Sequence, residues 1–192
     1  MTSTPPIKVL GISGSLRQGS CNTASLREAM TLAPGGMSIE LADLTHIPVY
    51  NEDVYAQGFP EAVARFREQI RAADALLWAT PEYNYSVPGV LKNAIDWASR
   101  PPEQSFAGKP AAVFGASAGR FGTARAQYHL RQSMVFLDVH MMNRPEVMIA
   151  GAPALFDAQG RLMDERTREQ LRGLLEAFYA WIIKHKAWPQ ER

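Results

Sequence analysis

Apolar positions come in short blocks separated by polar or helical stretches. IKVLGIS (7–13) is an apolar run without clean alternation. Strands buried on both faces read this way. NTASLREAMTLA (22–33) follows at helical spacing, and PGG ends it. MSIELADL (37–44) is the next strand. FPEAVARFREQIRAAD (59–74) puts Val63, Phe66 and Ile70 on one helical stripe with charges between them. ALLWAT (75–80) is a buried strand that breaks at PEYNYSVPG, and VLKNAIDWAS (90–99) gathers Val90, Leu91, Ala94, Ile95 and Ala98 on one side of a helix. KPAAVFGAS (109–117) is a fourth strand, broken at AGRFGT, with a helix from about 122 to 137. HMMNRPEVMIA (140–150) reads as a fifth strand interrupted by Pro145, which predicts an edge position. DERTREQLRGLLEAFYAWIIKHK (164–186) is a long closing amphipathic helix.

Alternating strands and helices predict an α/β fold on a parallel sheet. No linker, repeat or low-complexity segment divides the chain, so one domain over 1–192 is expected. Five strands and five helices match the doubly wound, three-layer, flavodoxin-like pattern with a five-stranded parallel sheet in the order 2-1-3-4-5. Ligands in such sheets bind outside the carboxyl ends of the strands, where the order switches. The three irregular stretches 14–22, 81–88 and 116–122 should therefore share a site.

Charge narrows the partners. Lysine and arginine total 20 against 19 acidic residues, a formal net charge of +1. That balance gives no electrostatic case for nucleic acid or a membrane surface. The N-terminus lacks a basic segment followed by a long apolar stretch, so it does not read as a signal peptide. No run approaches the ~20 apolar residues of a membrane span. Cys21 is the only cysteine, which excludes an intrachain disulfide and makes a cytoplasmic location the simplest expectation. The histidines at 46, 129, 140 and 185 show no metal-ligand spacing, so no metal site and no catalytic histidine are expected.

The first loop, GSLRQGSCNT (14–23), runs into a helix N-terminus, where free N–H groups and the helix dipole favour an anion. Ser15, Ser20, Asn22 and Thr23 add polar donors and Arg17 a fixed charge. Helix capping alone accounts for one such residue but not for the accumulation. The loop is not a Walker A motif, and glycines at 11, 14 and 19 do not form GxGxxG, which favours a mononucleotide phosphate. A phosphatase reading, with Cys21 as nucleophile and Arg27 six residues on, fails because Arg27 falls inside the predicted helix and no glycine lies between them.

GSLRQGSCN resembles the phosphate motif of the NADPH-dependent FMN reductases, which include bacterial quinone and chromate reductases. PEYNYSVPGVLKNAIDW is similar to that family's flavin-ring loop and following helix. GASAGRFGTARAQYHLRQ resembles its third segment, with Phe121-Gly122 where the family more often has two glycines. The resemblance implies FMN, with Ser15, Arg17, Ser20, Asn22 and Thr23 on the phosphate. It places Pro81, Glu82, Tyr83 and Asn84 along the isoalloxazine ring, and Ser117 and Gly119 on the other side. Glu82 also fits a helix-start or ion-pair role, Tyr83 and Tyr85 also fit surface or interface packing, and structural roles are expected for Asn93 and Asp96.

With FMN supplying the redox chemistry, no side chain needs to act as acid or base. The expected enzyme is an NAD(P)H oxidoreductase. It passes hydride from NADPH or NADH to FMN, then electrons to quinones, chromate, azo or nitro compounds or free flavin, in a ping-pong cycle. Arg120 fits either a nucleotide 2′-phosphate or a solvated surface role. The rival from another class is an electron carrier without turnover, but such carriers are strongly acidic and this chain is nearly neutral. A phosphate-binding module without flavin is a third reading.

The segment 124–142 carries Tyr128, Leu130, Met134, Val135 and Leu137 on more than one helical face, more than a monomer's single stripe requires. The resemblance implies a homodimer or homotetramer. Arg125 and Tyr128 lie one turn apart and are expected to meet Glu146 and Tyr85 across a subunit contact, with an ordinary intrachain surface network as the equal alternative.

Overall fold

The computed structural model describes residues 5–187. Its elements run β1 (Ile7–Ser13), α1 (Cys21–Leu32), β2 (Met37–Leu41), α2 (Glu52–Tyr55), α3 (Glu61–Ala72), β3 (Ala75–Ala79), α4 (Gly89–Ala98), β4 (Pro110–Ala116), α5 (Ala124–Phe136), β5 (His140–Met141), β6 (Val147–Ile149), a 3-10 turn (Ala152–Leu155) and α6 (Glu165–Lys186). The sheet is parallel throughout and ordered β2-β1-β3-β4-β5.

β3 and β4 are buried at every residue because helices cover both faces. Alternate side chains along each strand supply the two cores. Val9, Leu77 and Phe114 pack under α1 and α6 with Leu26, Leu175 and Phe178. Leu10, Leu76, Trp78 and Val113 pack on the other side under α3, α4 and α5 with Phe66, Leu91 and Met134. The predicted stripe of α3, Val63, Phe66 and Ile70, is fully buried.

Two features differ from the pattern reading. The fifth sheet position is divided between β5 and β6, both parallel to β4. Pro145 has no N–H to give the ladder, and residues 142–146 leave it before β6 rejoins. The short helix α2 is additional: four residues carry no readable periodicity, and it starts where the Asn51 side chain accepts from the Asp53 N–H at 2.8 Å.

Leu130 and Met134 of α5, and Leu137 just after it, are buried, so they form the covered face of the segment. What remains outside is Tyr128, Val135 and Phe136, the last two 79% and 87% exposed.

The fold also joins two histidines that are 45 residues apart in the chain. His185, on α6, lies 2.9 Å from His140 Nδ1, and Asp138 lies 3.5 Å from the other nitrogen of His140. Burial first, then the His140 ring, hold His185 below the ordinary histidine range, with Asp138 opposing. A depressed folded pKa means that the unfolded chain takes up the proton first. Stability is therefore full above the ordinary value of about 6.5 and declines as pH falls below it. Urea unfolding between pH 8 and 5.5 should show this decline, and His185→Gln should flatten it; parallel curves for the two proteins would refute the assignment.

Candidate functional site

Three loops meet at the carboxyl end of the sheet. The loop after β1 turns at Gly14, whose N–H donates to the Ala79 carbonyl at 2.9 Å. A Cβ there would lie 3.0 Å from both Pro81 and Pro88, so only glycine lets the first and third loops touch without displacement. The Ser20 hydroxyl caps α1 by accepting from the Thr23 N–H at 3.3 Å. The N–H groups of Cys21 and Asn22 carry no protein hydrogen bond among the described residues. They point out of the helix N-terminus, where an anion is favoured.

Asn22 is buried, and its amide is engaged with β4. Nδ2 donates to the Ala116 carbonyl and Oδ1 accepts from the Ala116 N–H, both at 2.9 Å. It staples the first loop to the strand that leads into 117–122, and its own backbone N–H stays free for an anion. The Thr23 hydroxyl lies 2.7 Å from that of Ser13. Arg17 is exposed and forms no ion pair among the described residues.

The loop after β3 closes a tight turn in which Tyr83 and Ser86 exchange two backbone hydrogen bonds of 3.0 Å. Its central residues, Asn84 and Tyr85, have φ of 49° and 66°. Asparagine tolerates that region; a tyrosine there stores roughly 1–2 kcal/mol of strain. Two contacts hold Tyr85 in place: the Arg125 guanidinium 3.6 Å from its ring centroid, and the Ser86 hydroxyl 3.0 Å from His129 Nδ1.

Glu82 turns its carboxylate onto the N-terminus of α5. It accepts from the Arg125 and Ala126 N–H groups at 3.0 and 3.2 Å and forms an ion pair with the Arg125 side chain. Of the roles open to it, the helix-start and ion-pair role is the one its side chain takes. The negative charge is thereby matched, and it does not oppose an anion nearby.

Between these loops lies a cleft of about 210 Å³. Of the residues that the resemblance assigns to FMN, Ser15, Arg17, Ser20, Asn22, Pro81, Glu82, Tyr83 and Ser117 line it. Thr23, Asn84 and Gly119 do not; they support the loop backbones beside it. Cys21, Ala116, Ala118, Ala152 and Pro153 line it as well. Ala152 and Pro153 follow β6, and the rule that ligands sit at strand carboxyl ends is the one signal that points to them.

One end of this cleft is cationic and rich in N–H donors; the other is flat and aromatic. Such a cleft fits a phosphate joined to a planar ring. The chain matches the NADPH-dependent FMN reductase family over residues 7–154. It belongs to that family. Among relatives, it is 73% identical to an NAD(P)H-dependent FMN reductase of Pseudomonas aeruginosa, covering 92% of this chain and 95% of that one. A 2-hydroxy-1,4-benzoquinone reductase of a Burkholderia species is 44% identical over 92% of this chain and 96% of its own. Among solved structures, the flavoenzyme NAD(P)H:(acceptor) oxidoreductase FerB of Paracoccus denitrificans superposes with a TM-score of 0.85 at 41% identity, covering 93% of this chain and 98% of that one.

As an FMN reductase the protein is an oxidoreductase that uses FMN with NAD(P)H as electron donor. The residues present fit FMN: two N–H groups and an arginine without a protein partner among the described residues suit the phosphate, and Glu82, the one carboxylate lining the cleft, is matched by Arg125. Among the described residues no group of three or more histidine, cysteine, aspartate or glutamate side chains is arranged for a metal ion. No described helix is long and apolar enough to cross a membrane.

The contact expected between subunits is instead met inside one chain. The Tyr128 hydroxyl donates to Glu146 at 3.0 Å, and that carboxylate holds the Tyr128 phenol above its usual pKa. Glu146 immediately precedes β6, and β6 lies beside α5, where Gln127 Nε2 donates to the Val147 carbonyl at 3.0 Å. Arg125 likewise meets Tyr85 of its own chain, because α5 starts above the 81–88 turn. Asn93 has a structural role: it accepts from the Tyr50 N–H and donates to the Pro48 carbonyl, each at 2.8 Å. Asp96 pairs with Lys92 at 2.7 Å.

Proposed function

We propose that the protein reduces quinones with NAD(P)H, the donor and the acceptor using one opening in turn. The observation that carries this is the cleft itself. Its anion seat and its aromatic rim, Arg17 with the α1 N-terminus and Pro81 with Tyr83, line one and the same opening, so two substrates that both need the ring would succeed one another. FMN, when bound, supplies the two-electron chemistry. The chain's own residues hold and orient. The Cys21 and Asn22 N–H groups with Arg17 would hold the phosphate, Pro81 to Tyr83 would form one wall, and Ser117 with Ala118 the other. Glu82, the one carboxylate lining the cleft, is turned onto α5 and committed there. The balance is one hydride from NAD(P)H and one proton from solvent, which convert a quinone to its hydroquinone. The relative named for a hydroxybenzoquinone favours quinones as acceptors. Chromate, azo and nitro compounds and free flavin remain candidates of the same open site. The single cysteine fits a cytoplasmic setting.

Heat or acid should release a yellow compound with the retention of FMN. Double-reciprocal plots for NAD(P)H and a quinone should be parallel. Intersecting lines would show both substrates bound together and defeat the alternating reading; release of FAD would defeat the site.

A homodimer or homotetramer is the assembly proposed, with the outer side of α5 as its contact. Tyr128, Val135 and Phe136 leave apolar surface there that a symmetric partner would cover. Light scattering at micromolar concentration should find a dimer or larger; a monomer with full FMN occupancy would remove the proposal.

A further inference from the structure

The turn after β4 carries two side chains that nothing above employs. Gly119 and Gly122 close it, the Gly122 N–H donating to the Gly119 carbonyl at 3.3 Å. Arg120 and Phe121 are its central residues, so both side chains leave the tip. Gly122 has φ of +58°, and a Cβ there would meet the Met148 backbone at 2.9 Å. The base of the turn is also tied to β6, where the Ser117 N–H donates to the Ile149 carbonyl at 2.9 Å. The backbone is therefore held in a course that keeps Phe121 outward, 55% exposed.

Phe121 is the middle of a series. The Arg120 guanidinium lies 4.8 Å from its ring centroid and that of Arg125 lies 5.5 Å away, while Arg125 also covers Tyr85. Rings and cations thus alternate from the 81–88 turn to the 117–122 turn, the two turns whose Pro81, Glu82, Tyr83, Ser117 and Ala118 line the cleft. The two arginines differ. The charge of Arg125 is matched by Glu82. Arg120 has no ion-pair partner among the described residues.

We propose that Arg120 and Phe121 form a docking ledge that selects planar, negatively charged electron acceptors, such as ionised hydroxyquinones and sulfonated quinones. The inference rests on the quinone reductase reading above. Phe121 offers a flat acceptor an exposed aromatic face, which favours offset stacking. Arg120 offers the acceptor's anionic oxygen a cation with no competing carboxylate. A neutral quinone gains the stacking alone, and a small oxyanion gains the charge alone. The combination therefore prefers acceptors that carry both.

The test uses the holoenzyme with NADH as donor, so that no 2′-phosphate competes for Arg120. The acceptors are 1,4-naphthoquinone and its 2-sulfonate. In Arg120→Gln, the ratio of kcat/KM for the sulfonate to that for the neutral quinone should fall by about tenfold, the scale of one charge-assisted contact. Phe121→Leu should lower kcat/KM for both acceptors, since both lose the ring. Calorimetric binding of anthraquinone-2-sulfonate to the oxidised enzyme should weaken about tenfold in Arg120→Gln. An unchanged acceptor ratio, or unchanged binding, overturns the ledge. In a parallel series with NADPH, an effect of Arg120→Gln confined to the KM for NADPH would also overturn it and assign Arg120 to the nucleotide. Failure of the wild type to reduce either quinone overturns the quinone reductase reading together with the ledge. Equal use of both quinones by wild type and variant overturns the ledge alone.

Discussion

Gly115→Ala should destabilise the protein by about 3 kcal/mol or more, the upper range for overpacking a filled core. Gly115 sits within β4, where a Cβ would lie 2.0 Å from the Thr123 hydroxyl and 2.2 Å from the Thr80 carbonyl oxygen. Neither neighbour can yield. Thr80 is backbone at the end of β3, its N–H bonded to the Phe114 carbonyl at 3.0 Å. Thr123 is fully buried and accepts from Gln127 at 3.1 Å. The added methyl must push β3 away from the start of α5, and with it the two loops that form the walls of the cleft. The melting temperature should fall by roughly 6–12 °C, with loss of bound FMN. Gly89→Ala is the control, because nothing lies within 4 Å of its Cβ position and it opens a helix. Equal melting temperatures for the two variants would show that β4 is not confined there.

Arg17→Ala should weaken FMN binding by about 10- to 100-fold, the loss of one charge-assisted contact of ~1.5–3 kcal/mol. Arg17 is the one arginine that lines the cleft, and it forms no ion pair among the described residues, so no internal partner is left unmatched by the change. The free N–H groups of Cys21 and Asn22 remain, so binding should weaken rather than vanish. Riboflavin has no phosphate, and its affinity should be nearly the same in both proteins. Fluorescence titration of the two flavins separates the cases. Equal losses for both would place Arg17 on the ring or on loop stability, not on the phosphate.

The strands, the helices and the meeting of three loops at one end of the sheet were legible because each follows from a local period or from a general rule of parallel sheets. ALLWA and PAAVFGA read as buried strands, and their five and seven residues are buried. Val63, Phe66 and Ile70 read as one stripe and pack as one. The first loop read as an anion seat because serine, arginine and asparagine accumulate at a helix start. Periodicity did not reveal α2 or the division of the fifth strand, since four-residue and two-residue elements hold too few positions to show a repeat.

Side-chain direction was the other hidden quantity. Glu82 and Asn22 both belong to the motifs that flank the cleft, and composition alone gives each a place on the ligand. The fold instead sets Glu82 beneath α5 and Asn22 against Ala116, where buried polar atoms must find partners. The histidine pair shows the same limit, because residues 140 and 185 meet only when α6 packs beside β5. So do Tyr128 and Glu146, expected across a subunit contact and found together in one chain. Local sequence determined which segments are strands and helices, and that an anion and a flat ring suit the loops at one end of the sheet. Such properties depend on residues within a few positions of one another. Only the tertiary structure decided which polar side chains face the cleft and which are committed to holding it, because that choice depends on partners distant in the chain.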